Sequence, residues 1–320
     1  ESGAGLVSDD YVSEQIDQVL WSKAKGWLDR HFKTTPKKPF FLYMPTSAIH
    51  RPCLATKEFR GKSGAGLHGD KVVELDNIVG RLIADLKAKG CLDNTLILFT
   101  SDNGALPGDP EGALKKYAKN DWGKQWSAAE LLKRKPEGSY KYWITYGHKT
   151  NGPYLGYKMT IYEGGHRVPF IVRWPAQVKA GSVCADTTCL TDMLATCADI
   201  VGVKLPADAG EDSVSMLPNL TGAAAKPLRE ATVHHSINGT FAIRQGKWKL
   251  IDAPHSGGWS SPRPGKDQEL YKDLPLIQLY DMEADPGETT NVQDQHPETV
   301  ERLKALLEKY KTEERSTPAA

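Results

Sequence analysis

Three short polar clusters in this chain carry residue types that could do chemistry. "FTSDNG" (99–104) sets Asp102 beside Asn103 directly after the apolar run Leu96-Ile97-Leu98. His50 stands five residues beyond the apolar run "KKPFFLYMP" (37–45). Lys158 lies in "GYKMTIYEGGHRVP", just before the apolar run "RVPFIVRWP" (167–175). A carboxylate and an amide oxygen suit a hard cation. An imidazole moves protons near neutral pH. An ammonium group offsets negative charge developing on an oxyanion. In open α/β sheets, ligands bind beyond the carboxyl ends of the strands, where these clusters would fall. Each also has a plainer reading: a turn for Asp-Asn-Gly, a solvated histidine, a solvated lysine. Residue type alone leaves both readings open.

The elements that would position these groups are legible in outline. Residues 10–33 predict a helix, with Val12, Ile16, Val19, Leu20 and Trp27 at roughly helical spacing. The run 37–45 predicts a strand buried on both faces. From Lys71 to Lys89 the residues Val72, Leu75, Ile78, Val79, Leu82, Ile83 and Leu86 trace an amphipathic helix, which Gly90 would close. "DNTLILFTSDNG" then reads as turn, buried strand and loop. Strand, long helix and strand in that order predict a βαβ unit of a parallel sheet. Residues 167–175 predict a further buried strand, and "TDMLATCADIVG" (191–202) a short helix with Thr191 as N-cap.

After about residue 225 the texture changes. "FAIRQG" and "KWKLID" alternate about a glycine, as an antiparallel hairpin does. "IQLYDMEADPGETTNV" adds a strand and a Pro-Gly turn. Residues 297–312 predict an amphipathic helix with Val300, Leu303, Leu306, Leu307 and Tyr310 on one face. The expected fold class is α/β: a predominantly parallel or mixed central sheet flanked by helices (1–225), with a small C-terminal α+β subdomain of antiparallel sheet plus helix (226–320). Within the first part, residues 105–153 form a long polar segment carrying Trp122, Trp126, Tyr140, Tyr142, Trp143 and Tyr146. Such a loop either stacks its aromatics on a ligand or packs them into a satellite core.

Composition narrows the partners. Of 320 residues, 41 are Lys or Arg and 40 are Asp or Glu, so charge gives no reason to invoke nucleic acid or an anionic membrane. No apolar run is long enough to span a bilayer. The five cysteines form no CxxC pair, which argues against zinc and against a disulfide framework. Cys184 and Cys189 are either a pair or plain buried thiols.

The segments "FFLYMPTSAIHRP", "ELDNIVGRLIADLKAKGCLDNTLILFTSDNG", "YKMTIYEGGHRVPFIVRWP", "AIRQGKWKLI" and "LYDMEADPGETTNV" together resemble, in order, the type I sulfatases of the alkaline phosphatase superfamily. The resemblance runs from about residue 10 to 315. It implies hydrolysis of a sulfate ester, R–O–SO₃⁻, on a sulfated small molecule or carbohydrate. It implies Ca²⁺ ligation by Asp102 and Asn103, contact of Lys158 with the sulfate oxygens, and a His50 that assists the leaving oxygen. It also implies a pocket lined by His148 and His166, and a full-length parent that is secreted, periplasmic or lysosomal. Asp102, His50 and Lys158 must then converge at one rim of the sheet.

The sequence departs from the family in one decisive respect. The family nucleophile is a formylglycine made from the first residue of Cys-x-Pro-x-Arg, or from a serine in that place, and no cysteine here begins that pattern. Ser260-Ser261-Pro262-Arg263 has its arginine one position early. Asp9-Asp10 follows no strand and does not match the family's N-terminal acidic pair. Leu155 stands where an arginine is often found. The chain is therefore expected to begin part-way through the catalytic domain, with an incomplete Ca²⁺ site, little activity alone and an exposed sheet edge open to association. Two alternatives remain: a phosphoester or phosphonate hydrolase of the same superfamily, and a non-catalytic anion- or sugar-binding module.

Overall fold

The computed structural model describes residues 10–50, 53–105 and 150–317. The aromatic-rich segment, apart from its ends, and His148 lie outside the described residues, as does Asp9. The chain divides into two compact units, one of residues 1–93 with 106–150 and the other of 94–105 with 151–320.

In the first unit, α1 (Ile16–Thr34) and α2 (Gly66–Ala88) are the main elements. Trp21, Ala24 and Leu28 of α1 are buried, as are Leu67, Ile78 and Leu86 of α2. Both helices form where the spacing predicts them, and Ile78 and Leu86 lie on the expected face of α2, but α1 buries Trp21, Ala24 and Leu28 and leaves the expected Val19 and Trp27 exposed. Gly90, at φ 70°, ends α2 in the left-handed conformation, and the Cys91 amide donates to the Leu86 carbonyl. The run 37–45 does not form the predicted strand. It pairs with no described strand, and Phe41 and Tyr43 are each 77% exposed. An apolar run becomes a strand only when a neighbour takes up its backbone groups.

The second unit opens with β1 (Ile97–Thr100), which pairs with β2 (Phe170–Arg173). The pairing is antiparallel, Ile97 opposite Arg173 and Thr100 opposite Phe170. The described strands therefore do not form the predicted parallel βαβ unit. β2 is also less buried than expected, with Ile171 60% exposed. A two-stranded ribbon cannot cover both its faces. Next come α3 (Glu163–His166), which precedes β2 in the chain, α4 (Asp192–Ile200) and α5 (Leu217–Thr221). Thr191 does not cap α4 with its side chain. The Asp192 carboxylate instead accepts the Cys189 and Val214 amides.

The C-terminal part matches its expectation closely. β3 (Thr232–His235), β4 (Phe241–Gln245), β5 (Trp248–Ile251) and β6 (Gln278–Asp281) form one antiparallel meander. α6 (Pro297–Glu313) lies on one face. There Ile243, Leu250 and Leu279 pack against Val300, Leu303, Leu307 and Tyr310. On the other face Ala242, Ile251, Tyr280 and Met282 pack against Ile161 and Tyr162. The class is α/β with a small C-terminal α+β subdomain, and that subdomain's sheet is a wall against which residues 158–166 are built. Leu303 and Leu279 are both fully buried. Leu303→Ala is expected to destabilise the second unit by about 2–5 kcal/mol, read as a lower denaturant midpoint with unchanged slope.

Candidate active site

Asp102 and Asn103 sit in the loop that leaves β1, with Asp102 exposed and Asn103 half-buried. Ser101 Oγ donates weakly to Asp102 Oδ1 at 3.4 Å and to the Asn103 carbonyl at 3.1 Å. The Asn103 amide donates to the Gly104 carbonyl at 3.0 Å. That orientation leaves the Asn103 side-chain oxygen as an acceptor.

This loop is bonded to the one that carries Lys158. The Gly104 amide donates to the Gly165 carbonyl at 3.0 Å, and the Lys158 amide to the Ala105 carbonyl at 2.9 Å. Asn151 spans the same junction. Its Oδ1 accepts the Ala105 amide at 2.9 Å, and its Nδ2 donates to the Gly156 carbonyl at 3.0 Å. Thus Asp102-Asn103 and Lys158, some fifty residues apart in the chain, share one backbone network. A Cβ on Gly104 would lie 1.7 Å from the Gly164 carbonyl oxygen, so only glycine fits there.

Lys158 is half-buried, and its ammonium makes no hydrogen bond or ion pair to another described residue. Its neighbour Met159 has φ 75°, a left-handed conformation that side chains rarely adopt. The strain is held in place. The Met159 carbonyl accepts the Ile237 amide at 3.2 Å, and Gly258 packs close against that carbonyl. Strained residues fixed this way cluster at functional sites.

His50 lies in the first unit, on an exposed turn whose His50 amide donates to the Ser47 carbonyl at 2.9 Å. Ser47 is fastened to α1. Its amide and hydroxyl donate to the Asp17 carboxylate at 2.6 and 3.0 Å. Asp17 is paired at 2.9 Å with the buried Lys71 of α2, which also meets Glu74 at 2.9 Å. A buried lysine between two carboxylates therefore anchors the turn that carries His50.

His166 ends α3 half-buried, with its ring 4.4 Å from that of His234 and tilted 57° to it. The Nε2 atoms of both are buried and have no partner among the described residues. Burial, with Lys249 nearby, lowers the His166 pKa to about 4 and holds His234 well below its ordinary value. Both rings are neutral at pH 7.

Three residues that the sequence reading did not single out complete the second unit's site. Lys249 on β5 is fully buried and reaches Glu163 Oε1 at 3.0 Å and Glu288 Oε1 at 2.8 Å. The signal was available in "KWKLI". Alternation puts Leu250 toward α6 and so turns Lys249 toward the other, equally covered face.

Asp102 and Asn103 fit a calcium ion in donor type. They do not fit it in number, because calcium takes about six to eight oxygens. Among the described residues no group of three or more His, Cys, Asp or Glu could hold a metal.

Comparison with known proteins gives this arrangement its family. The model described as Sulfatase matches residues 5–203, and that described as N-sulphoglucosamine sulphohydrolase, C-terminal, matches residues 155–257. With more than half its residues matched, the chain belongs to the sulfatase family. An N-acetylgalactosamine-6-O-sulfatase of Bacteroides thetaiotaomicron is 37% identical over 305 residues, 94% of this chain and 52% of its own length. The N-acetylgalactosamine-6-sulfatase of Rattus norvegicus is 28% identical over 302 residues, 90% of this chain and 48% of its own. A solved protein described under the metabolism of multiple glycosaminoglycans by Bacteroides thetaiotaomicron matches with TM-score 0.72 at 34% identity, covering 94% of this chain and 55% of that one. The chain spans about half the length of the curated relatives it matches.

Two outcomes follow from this geometry. Gly104→Ala is expected to separate the Asp102 loop from the Lys158 loop, raising amide hydrogen exchange at residue 104 and at Lys158, the two junction donors; unchanged protection would contradict the junction. The histidine pair sets an acid limit. Unfolded histidines titrate near about 6.5, whereas the folded pair resists protonation, so the unfolded chain binds more protons below that pH. Stability is expected to fall as pH drops from about 6.5 toward about 4, and His166→Leu should flatten the slope of melting temperature between pH 7 and 5.

Proposed function

We propose that the chain carries the sulfate-binding half of a sulfuric ester hydrolase that acts on a 6-sulfated amino sugar such as N-acetylgalactosamine 6-sulfate. The observation that carries this reading is the backbone junction between the Asp102-Asn103 loop and the Lys158 loop. In this reading the two joined loops carry complementary groups, an oxygen pair for a cation and, for an oxyanion, an ammonium without a partner among the described residues. The relatives named above supply the substrate class.

In this reading Lys158 draws on the charge that builds on the sulfate oxygens as the S–O bond breaks. His50 supplies a proton to the leaving sugar oxygen. His148 and His166 line the sugar side, with His166 acting as a neutral ring. The balanced reaction is R–O–SO₃⁻ + H₂O → R–OH + HSO₄⁻, the last ionising further. Asp102 and Asn103 would give calcium two of its oxygens. Bound there, the cation would orient the ester and offset its charge. No cysteine in this sequence begins the Cys-x-Pro-x-Arg pattern from which formylglycine is made, so the chain alone is expected to release no sulfate. We also propose a boundary near residue 225, between a sulfatase-like α/β domain (1–225) and a small C-terminal α+β subdomain (226–320). No described helix is long and apolar enough to cross a membrane.

The test joins the chain to an upstream segment bearing Cys-x-Pro-x-Arg, matured to formylglycine. Sulfate release from N-acetylgalactosamine 6-sulfate is expected, with Lys158→Ala lowering kcat/KM roughly a hundredfold and His50→Ala lowering kcat by a comparable factor. Robust turnover by the chain alone, or preference for the matching phosphate ester, would overturn the assignment.

A further inference from the structure

The loop that carries Lys158 is fastened to the C-terminal sheet by charge as well as by apolar packing. Lys249 and Arg244 are cross-strand neighbours on β5 and β4, and both point at Glu163. Lys249 Nζ meets Glu163 Oε1 at 3.0 Å, and Arg244 Nη1 meets Glu163 Oε2 at 3.1 Å. Glu288, beyond β6, closes the group. Its Oε1 is 2.8 Å from Lys249 Nζ, and its Oε2 accepts the backbone amide of Glu163 at 2.6 Å. Arg167 approaches Glu163 from the exposed side at 3.5 Å. Lys249 is 0% exposed, Glu288 3% and Glu163 4%.

Two carboxylates and two cations give the inner group no net charge. Burial disfavours the charged form of Glu163, but Lys249 and Arg244 outweigh it and hold its carboxyl below the ordinary range. Burial dominates at Glu288 and pushes it up. The group therefore works as a unit. Remove one charge and another is left buried and uncompensated.

From Glu163 the connection to Lys158 is short and runs through backbone. The Gly164 amide donates to the Leu155 carbonyl at 2.7 Å, the Gly165 amide to the Tyr162 carbonyl at 2.8 Å, and the Gly165 carbonyl accepts Gly104. The turn that follows Glu163 thus holds both ends of the 155–165 loop and the Asp102 loop. A Cβ at Gly164 would meet the Leu155 and Gly156 carbonyls within 2.5 Å, so the turn can neither slide nor widen.

We propose that Lys249 is a positioning residue: by gripping Glu163 and Glu288 it sets where Lys158 stands relative to Asp102, so the C-terminal subdomain tunes anion binding through a side chain that does not itself touch the anion. This rests on Lys158 being the anion ligand proposed above. A further consequence is that the grip depends on charge balance rather than on a single bond. Glu163→Gln leaves Arg244 without its carboxylate while Glu288 still faces Lys249, and so loosens the loop.

The experiment titrates inorganic sulfate into the full chain by calorimetry and follows hydrogen exchange at residues 155–165. Variants are Glu163→Gln, Lys249→Met and Lys158→Ala, with Leu303→Ala as a control that weakens the opposite face of the same sheet. Expected for Glu163→Gln and Lys249→Met are sulfate binding weaker by at least about tenfold and faster exchange at 155–165. Leu303→Ala should stay within about twofold of the parent at matched folded fraction. Restoring a positive charge with Lys249→Arg should recover part of the affinity. If Lys249→Met does not fold, Glu163→Gln decides. Sulfate binding that depends on Lys158 but ignores Glu163→Gln would overturn the positioning role and leave Lys158 as ligand. No Lys158-dependent binding would overturn the ligand reading, and exchange at 155–165 would then judge the grip alone: unchanged exchange in Glu163→Gln refutes it.

Discussion

A buried ammonium held between two carboxylates is the interaction on which this structure turns, and among the described residues each unit has one at Lys71 or Lys249. In the first, Lys71 sits between Asp17 and Glu74 and steadies the turn that carries His50. In the second, Lys249 sits between Glu163 and Glu288 beneath the loop that carries Lys158. Buried ion groups are weak stabilisers, because desolvation offsets much of their attraction. What they supply is direction: a charge in a low-dielectric interior tolerates few positions. Both groups stand behind a loop with a proposed chemical task rather than at the centre of a core.

The apolar cores do the complementary work. α6 closes one face of the β3-β4-β5-β6 sheet with Leu303 and Leu307, and Ile161 and Tyr162 close the other. Ile161 and Tyr162 lie only three and four residues beyond Lys158. Packing and ion pairing therefore reach the same short loop from the same wall. The strained Met159 between them is the visible result of fixing that loop from several sides at once.

Much of this was legible in the sequence, for local reasons. The spacing of Leu75, Ile78, Leu82 and Leu86 requires a helix. The alternation in "FAIRQG" and "KWKLID" requires a hairpin, and the five family-like segments give the order of parts. What was not legible is pairing. Residues 37–45 have a strand's composition but no described partner. Residues 97–100 pair antiparallel with 170–173, a choice fixed by tertiary context rather than by either run. Of the candidate site, Asp102, Asn103 and Lys158 could be named from their types, and their union through Gly104 and Gly165 could not. Glu163, Lys249 and Glu288 went unnoticed because charged residues are ordinarily read as solvated, and only the alternation around Leu250 hinted otherwise.

The central claim is that the Asp102 loop and the Lys158 loop form one anion-and-cation site. Its most direct measurement is a crystal structure of the chain grown with calcium and a sulfated N-acetylgalactosamine. The account predicts the sulfate within hydrogen-bonding distance of Lys158 Nζ, beside the Asp102-Asn103 loop. A sugar sulfate seated elsewhere, with Lys158 directed into solvent, would contradict it.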